Sequence, residues 1–278
     1  MAKTQDIPRD LRDFNKLFED FTRRHDWGRS YCDFIQWTAT SFAFRAAGIN
    51  DEWLDKRHDD AIHRYDDRER ALLQPMLHAM TTALAGEITM NGWGDQLGEF
   101  YEVIASSHKS SYLGQFFTPH SLCDLIVGLQ PDLERRIVND PACGSGRLLL
   151  ALHGKDPDTR AYNVACDIDP ICCDMTAINM LMHGMEGEVI EMDTLRMEFR
   201  RGWRINPWMY SLDLICMVPI LKQSDSYMFG GVPLAFGQWH EHAARIKAQP
   251  REPTVIAKPV PKLTTTHKPN TSSQLTLF

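Results

Sequence analysis

A glycine-rich turn is the part of the sequence best suited to chemistry. The turn is Asp140-Pro141-Ala142-Cys143-Gly144-Ser145-Gly146, between an apolar run at 137–140 and a helical pattern at 147–154. Glycines permit a tight turn and a close backbone approach to a ligand. The helix that follows offers free N–H groups and a positive dipole end, which favour a carboxylate or a phosphate. Any cofactor of a Rossmann-like fold could use such a turn, so the turn alone does not identify its ligand.

Acidic residues recur where the next two predicted strands end. The first strand ends in Asp167-Ile168-Asp169-Pro170, and the second ends in Asp193-Thr194-Leu195. Carboxylates at the ends of neighbouring parallel strands can accept hydrogen bonds from a ribose or from an adenine amino group. A further polar and aromatic segment, Gly114–Pro119, lies upstream of the turn.

Alternating strands and helices must position these residues. A helix at 121–130 is followed by predicted strands at 137–140, 161–169, 188–193 and 211–218, and helices at 147–154 and 171–183 separate the first three. This alternation predicts an α/β fold with a mostly parallel sheet. The segment 231–239 could add a fifth strand.

Helical periodicity dominates the chain before this sheet. Over residues 8–108, apolar positions recur at three- and four-residue spacing, beginning with the stripe Leu11, Phe14, Leu17, Phe18 and Phe21. We therefore predict a helical domain at 1–110, an α/β domain at 111–248 and a tail at 249–278. The tail is rich in proline and threonine, as flexible linkers are. Because few residues lie between 221 and 248, we expect a shortened sheet.

Composition excludes several protein classes. The chain has 278 residues, of which 43% are hydrophobic and 24% charged, as in ordinary globular proteins. It contains no apolar run near the roughly 20 residues of a membrane helix and no secretory signal. Seven cysteines without a CxxC pair predict a reducing cytoplasm and no metal site. The net charge of −7 argues against broad non-specific binding of nucleic acid, but not against a local basic cleft.

The motifs together resemble the adenine-N6 DNA methyltransferases, of the type found as modification subunits in type I restriction-modification systems. Gln115–Pro119 resembles motif X of that family, and Asp140–Gly146 resembles motif I. Asp167–Pro170 and Asp193–Leu195 resemble motifs II and III, and 95–102 resembles the helix before motif X. The resemblance covers about residues 95–220.

The resemblance implies a Rossmann-like methyltransferase domain, S-adenosylmethionine as the cofactor and adenine in DNA as the substrate. No target recognition domain is visible in the sequence, so a partner or the N-terminal helices would have to read the DNA sequence. The implied cofactor contacts run from the methionine end to the adenine end: Phe117, Thr118 and Pro119, then Asp140, Pro141, Ala142, Cys143, Gly144 and Gly146, then Asp167 and Ile168 at the ribose, and Asp193 and Thr194 at the adenine.

The catalytic position departs from the family pattern. Members of the family carry Asn or Asp, two prolines and an aromatic residue at the end of the fourth strand. The polar side chain and a proline carbonyl accept the adenine N–H bonds, and the ring stacks on the flipped base. Here the position holds Met217, Val218, Pro219 and Ile220. A thioether is a weak acceptor, so we expect a loss on the order of 10²–10³ in rate. The alternative is a displaced catalytic residue at Asn206, in Asn206-Pro207-Trp208.

The last five residues are similar to the bacterial sliding-clamp-binding peptide. They read Gln274-Leu275-Thr276-Leu277-Phe278. Leu275, Leu277 and Phe278 could fill an apolar pocket while Gln274 fixes the register. The alternative is that this apolar end docks on its own domain.

Two functions therefore remain open. The first is a DNA adenine methyltransferase that works through an unconventional site or with a partner. The second is a catalytically silent protein that binds S-adenosylmethionine and acts as a regulatory or anti-restriction module recruited to the replication clamp. A methyltransferase acting on protein or RNA is disfavoured, because motif X precedes motif I.

Overall fold

In a computed structural model the described residues are 7–44, 52–107, 117–130, 137–157 and 161–231. Their helices are α1 Arg12–Phe21, α2 Trp27–Ser41, α3 Glu52–Ile62, α4 Asp67–Arg70, α5 Leu73–Asn91, α6 Gln96–Ser107, α7 His120–Gly128, α8 Arg147–Lys155, α9 Pro170–Met182 and α10 Met209–Leu212. Their strands are β1 Ile137–Asp140, β2 Tyr162–Asp167, β3 Glu186–Asp193, β4 Glu198–Ile205 and β5 Met217–Ile220.

Side-chain caps and a glycine fix the ends of several helices. Asp26 accepts the N–H of Arg29 at the start of α2, and Asp169 accepts that of Ile171 at the start of α9. An acceptor at this position satisfies an N–H that has no partner inside the helix. At the other end of α5, Gly92 has a φ of 84°, a left-handed conformation that suits glycine at a helix C-terminus.

The strands lie in the sheet in the order β1-β2-β3-β4-β5. The first three are parallel, whereas β4 is antiparallel to both β3 and β5. β5 therefore runs in the same direction as β1. Within the described ranges, no strand pairs with the outer side of β1. The fold is the α/β, Rossmann-like arrangement predicted from the sequence, with helices before the sheet. The described sheet is mixed, with two parallel and two antiparallel pairings, and not mostly parallel as predicted.

One hydrophobic core joins the helices to one face of this sheet. Its sheet side is formed by Ala165, Val189, Trp203, Ile205 and Met217. The predicted stripe along α1 is confirmed, because four members are fully buried and one is half-buried: Leu11, Phe14, Phe18, Phe21 and, half-buried, Leu17. The opposite face packs against a short irregular segment after β5, with the ring of Phe229 at 5.9 Å from that of Phe199.

The helical part also contacts β4 and β5 directly. Met217 donates its N–H to the Phe42 carbonyl, and its own carbonyl accepts the N–H of Phe44. On the helix-covered face, the guanidinium of Arg57 forms a buried ion pair with Asp174, whose carboxylate also accepts the indole N–H of Trp203. These contacts fix the fourth and fifth strands against the N-terminal helices.

One predicted strand is wrong, and one strand of the sheet is not predicted by the sequence pattern. Residues 211–218 do not form one strand after β3, because α10 ends at Leu212 and Asp213 has a left-handed φ of 50°. The polar segment before them instead forms β4. Its arginines are tolerated there because Arg201 pairs with Glu191, directly opposite on β3.

The described cysteines are all free thiols, and Cys172 and Cys173 are buried in α9. No helix among the described residues is long and apolar enough to cross a membrane.

Candidate functional site

A cavity of about 250 Å³ opens at the carboxyl ends of β1 and β2. Ligands of open α/β sheets bind at this end of the strands. The cavity is formed by residues from the glycine-rich turn, from α8, from the strand ends and from the segment before α7: Phe117, Thr118, Asp140, Ala142, Cys143, Gly144, Ser145, Arg147, Leu148 and Asp167. Of the predicted cofactor residues, seven line it. Pro119, Pro141, Gly146, Ile168, Asp193 and Thr194 are not among the lining residues.

Two glycines of the turn have backbone angles that favour glycine. Gly144 has a φ of 57° and Gly146, which precedes α8, a φ of 92°. A Cβ built on Gly144 would lie 2.8 Å from Cδ1 of Phe117, closer than real Cβ contacts. The turn can therefore approach both the Phe117 ring and a ligand only because it has no side chain there.

Asp167 links the turn to the end of β2. One of its carboxylate oxygens accepts the N–H of Gly144 at 2.9 Å, and the other accepts that of Asp169 at 2.9 Å. Burial raises the pKa of Asp167, although these N–H bonds oppose the rise. Burial also raises the pKa of Asp140, and the charge of Asp167 adds to the effect. Each carboxylate oxygen retains acceptor capacity for a hydroxyl or an ammonium group.

The charge of the cavity distinguishes among cofactors. Among the described residues that line it, the acidic ones are Asp140 and Asp167, and the one cation, Arg147, is already paired with Asp95 and Glu102. Two carboxylates repel a pyrophosphate but attract the sulfonium and ammonium groups of S-adenosylmethionine. The carboxylate acceptors and the charge of the cavity therefore fit S-adenosylmethionine better than a dinucleotide.

Asp95 connects the turn to three helices, a role that the sequence did not reveal. It is fully buried, and it accepts the N–H of Gly98 at the start of α6. The same carboxylate accepts hydrogen bonds from Ser145 at 2.6 Å, from the Nε of Arg147 at 2.6 Å and from Asn179 of α9 at 2.7 Å. The resemblance of residues 95–102 to a family helix pointed to this region, but it did not identify the residues that bind Asp95.

Asp193 lies at the end of β3, next to the strand that carries Asp167. Its Oδ1 accepts the N–H groups of Leu195 and Arg196 at 3.1 Å, so it shapes its own turn. Its side chain is 18% exposed. The remaining candidates on this side, Ile168 and Thr194, are exposed and half-exposed respectively.

Comparison with known proteins identifies the same segment. The family model of N-6 DNA methylases matches residues 93–216. Residues 93–216 are therefore related to the N-6 DNA methylases. The segment contains α6, the glycine-rich turn, β1 to β4 and the strand-end carboxylates Asp140, Asp167 and Asp193.

Individual relatives agree with this assignment. The methylase subunit of the type I restriction enzyme MjaIX from Methanocaldococcus jannaschii is 33% identical over 98 residues, which are 34% of this chain and 16% of that protein. The methylase subunit of the type I restriction enzyme EcoKI from Escherichia coli is 24% identical over 177 residues, 51% of this chain and 33% of that protein. The chain thus spans a third or less of the length of these relatives.

Among solved structures, the methyltransferase subunit of a type I restriction-modification system from Streptococcus thermophilus is 16% identical. The match covers 66% of this chain and 59% of that one, with a TM-score of 0.30, which is too low to support an argument.

The four residues predicted to occupy the catalytic position lie far from this cavity. Met217–Ile220 form β5, at the opposite edge of the sheet from β1. Four strand spacings of about 4.8 Å separate the two edges, roughly 19 Å. Met217 and Ile220 are buried, and Val218 and Pro219 are half-buried within the ladder to β4. The structure does not bring these four residues together with the cofactor candidates.

Asn206, the alternative catalytic residue, lies at the other end of the sheet. It follows Ile205, which pairs with Gly187 near the amino end of β3, whereas the cavity is at the carboxyl ends. Asn206 is fully buried, and its amide donates to the carbonyls of Leu181 and Met185. It therefore holds the loop between α9 and β3.

Two groups of predicted site residues lie outside the described residues. They are Gln115 and Phe116 of the motif X segment, and Gln274, Leu275, Leu277 and Phe278 of the clamp-binding-like peptide.

Proposed function

We propose that this chain binds S-adenosylmethionine in the cavity at the ends of β1 and β2. The observation that carries this proposal is the combination of a positive-φ glycine turn with two half-buried carboxylates, Asp140 and Asp167, that line the cavity. The Gly144 turn and the start of α8 would hold the amino-acid end. Asp167 would accept from the ribose hydroxyls, and Asp193, one strand further, would face the adenine.

We further propose that the chain does not transfer the methyl group by itself. Transfer to adenine needs an amide or carboxylate acceptor and a stacking ring next to the sulfonium. Met217–Ile220 supply neither group, and three to four strand spacings, roughly 14–19 Å, separate their strand from the two strands that end at the cavity. The chain would act in DNA adenine methylation as a cofactor-binding module, with a partner subunit providing DNA recognition and the catalytic group.

The first experiment is calorimetric titration of S-adenosylmethionine into the full chain and into Asp167→Ala. We expect a dissociation constant in the micromolar range, about −8 kcal/mol, and no measurable binding by the variant. Glu198→Gln, an exposed carboxylate at the start of β4, is the matched control and should bind as the unaltered chain does. Equal binding by Asp167→Ala would refute the assigned site.

The second experiment measures transfer of a radiolabelled methyl group to unmethylated DNA. We expect the full chain to give no more incorporation than Asp167→Ala. Incorporation well above that background would show that the chain is an active methyltransferase.

Recruitment by a sliding clamp is a separate proposal that rests on the last five residues. Purified bacterial clamp should bind the full chain with an affinity that Leu277→Ala and Phe278→Ala abolish, since both side chains would fill one apolar pocket. Unchanged binding by both variants would exclude this mode of contact.

A further inference from the structure

We propose that Arg147 is a positioning residue for the cofactor site. It holds Phe117 and Thr118 against the Gly144 turn, so that the amino-acid end of S-adenosylmethionine can bind between them. This inference rests on the proposed cofactor, and it concerns residues that line the same cavity.

Arg147 is anchored from behind by Asp95. The side chain of Arg147 is 5% exposed, and its Nε donates to the fully buried Asp95 at 2.6 Å. Asp95 is itself held by α6 through Gly98 and by α9 through Asn179. Because Asp95 accepts from two helices and the turn, the guanidinium of Arg147 has one orientation.

The two remaining nitrogens of Arg147 hold the segment before α7, one directly and the other through Glu102 of α6. Nη1 donates to the Thr118 carbonyl at 3.2 Å, and Nη2 donates to Glu102 at 2.8 Å. The other oxygen of Glu102 accepts the N–H of Phe117 at 3.0 Å. Arg147 thus holds two consecutive residues, Thr118 directly and Phe117 through the carboxylate of Glu102.

The ring of Phe117 completes the connection to the turn. It lies under the guanidinium of Arg147, with 5.3 Å from Cζ to the ring centroid, and it occupies the space next to Gly144 where a side chain would be. A shift of Phe117 therefore changes the wall of the cavity at the glycine turn.

The simpler alternative is that Arg147 binds the cofactor carboxylate directly. Three of its five N–H donors, one on each nitrogen, already donate to protein acceptors, and two carboxylates already neutralise its charge, which argues against that role. Glu102→Gln separates the two explanations because it removes the charge that holds Nη2 and leaves the cation in place. Positioning predicts weaker binding in this variant, whereas direct contact predicts equal or tighter binding.

The experiment compares the full chain with Arg147→Gln, Arg147→Lys and Glu102→Gln. Each is titrated with S-adenosylhomocysteine and with methylthioadenosine, which lacks the amino-acid end. We expect Arg147→Gln and Glu102→Gln to weaken S-adenosylhomocysteine about tenfold to 100-fold and methylthioadenosine by less than about threefold. Arg147→Lys should lie between, because a lysine reaches fewer of the acceptors at once.

Hydrogen exchange at the Phe117 amide gives a readout that needs no ligand. Both Arg147→Gln and Glu102→Gln disturb the Glu102 oxygen that accepts the Phe117 N–H. This amide should therefore exchange faster in both variants. Arg24→Gln is the matched control, since Arg24 also binds two carboxylates, Asp66 and Glu69, but does so far from the cavity lining. It should leave both exchange and affinity unchanged.

Each outcome decides the inference. Unchanged exchange at Phe117 in both variants overturns it, as does tighter binding of S-adenosylhomocysteine by Glu102→Gln. If the unaltered chain binds neither compound, the proposed cofactor fails, and the exchange result still decides whether Arg147 orders residues 117 and 118.

Discussion

The two edges of this sheet, β1–β2 and β4–β5, differ in whether their polar groups face a cavity or are paired within the protein. At β1 and β2 the polar groups converge on a cavity, and the carboxylates of Asp140 and Asp167 retain acceptor capacity. At β4 and β5 they are paired within the protein. Arg201 of β4 pairs with Glu191, and the Trp203 indole of β4 donates to Asp174 of α9, which also pairs with Arg57 of α3. Met217 is part of the core. One edge is therefore built to bind a ligand, and the other is built to hold the helices.

Under the proposed function, this difference separates cofactor binding from methyl transfer within one chain. A binding site needs a turn, a helix start and acceptors, all of which β1, β2 and α8 supply locally. Transfer to adenine needs a further acceptor beside the sulfonium, and Met217–Ile220 contribute packing instead. Substitutions that affect one edge should therefore leave the other largely unchanged.

The largest effect is expected at the β4 edge, in Asp174→Ala. This change leaves the buried Arg57 without its partner and removes the acceptor of the Trp203 indole. We expect the free energy of unfolding to fall by about 3–5 kcal/mol. Urea denaturation measures it, and calorimetry on the folded variant should give an unchanged cofactor affinity. A loss of affinity as large as the loss of stability would show that the two edges are coupled.

Restoring the family residues in Met217→Asn/Ile220→Tyr should be nearly as destabilising. An amide would replace a fully buried thioether, so we expect a loss of about 2–4 kcal/mol and no gain of methyl transfer. Met90→Asn is the matched control, because Met90 is 82% exposed and should change stability by less than about 0.5 kcal/mol. DNA methylation by the double variant would contradict the separation of the two edges.

Gly144→Ala should act mainly on binding. The positive φ and the 2.8 Å approach to Phe117 predict a cost of about 1–3 kcal/mol and loss of measurable cofactor binding. In Gly86→Ala, the added Cβ meets open space within α5, and stability should rise by about 0.5–1 kcal/mol. The two variants together distinguish a glycine required by the site from one that is replaceable.

The smallest effect is expected from pH. Burial raises the pKa of Glu99 to about 7, and the charges of Asp95 and Asp10 add to the rise. The folded chain then binds a proton that the unfolded chain has lost, so stability should decline as pH rises from about 4.5 to about 7. The decline should be modest, because 27% of the side chain is exposed. Thermal unfolding across this range should show it, and Glu99→Gln should remove it.

Local patterns predicted the binding edge well. About ten residues of sequence are enough to recognise each of its features: the glycine turn, the apolar runs of β1 to β3 and the acidic residues at their ends. β4 was missed because its arginines are compensated by glutamates that lie opposite only after the sheet forms. The position of β5 was wrong for a similar reason, since it depends on Phe42 and Phe44. The role of Asp95 likewise requires α6, α8 and α9 to meet.

The hydrogen bonds between Met217 and residues 42–44 also bear on how the chain reaches this structure. They join positions some 175 residues apart, so they form only after a long loop has closed. Contacts of such sequence separation slow folding. During synthesis the N-terminal helices must wait for β5 to leave the ribosome before that edge is complete. We therefore expect the cavity end of the sheet to acquire protection earlier than β5 in a refolding time course.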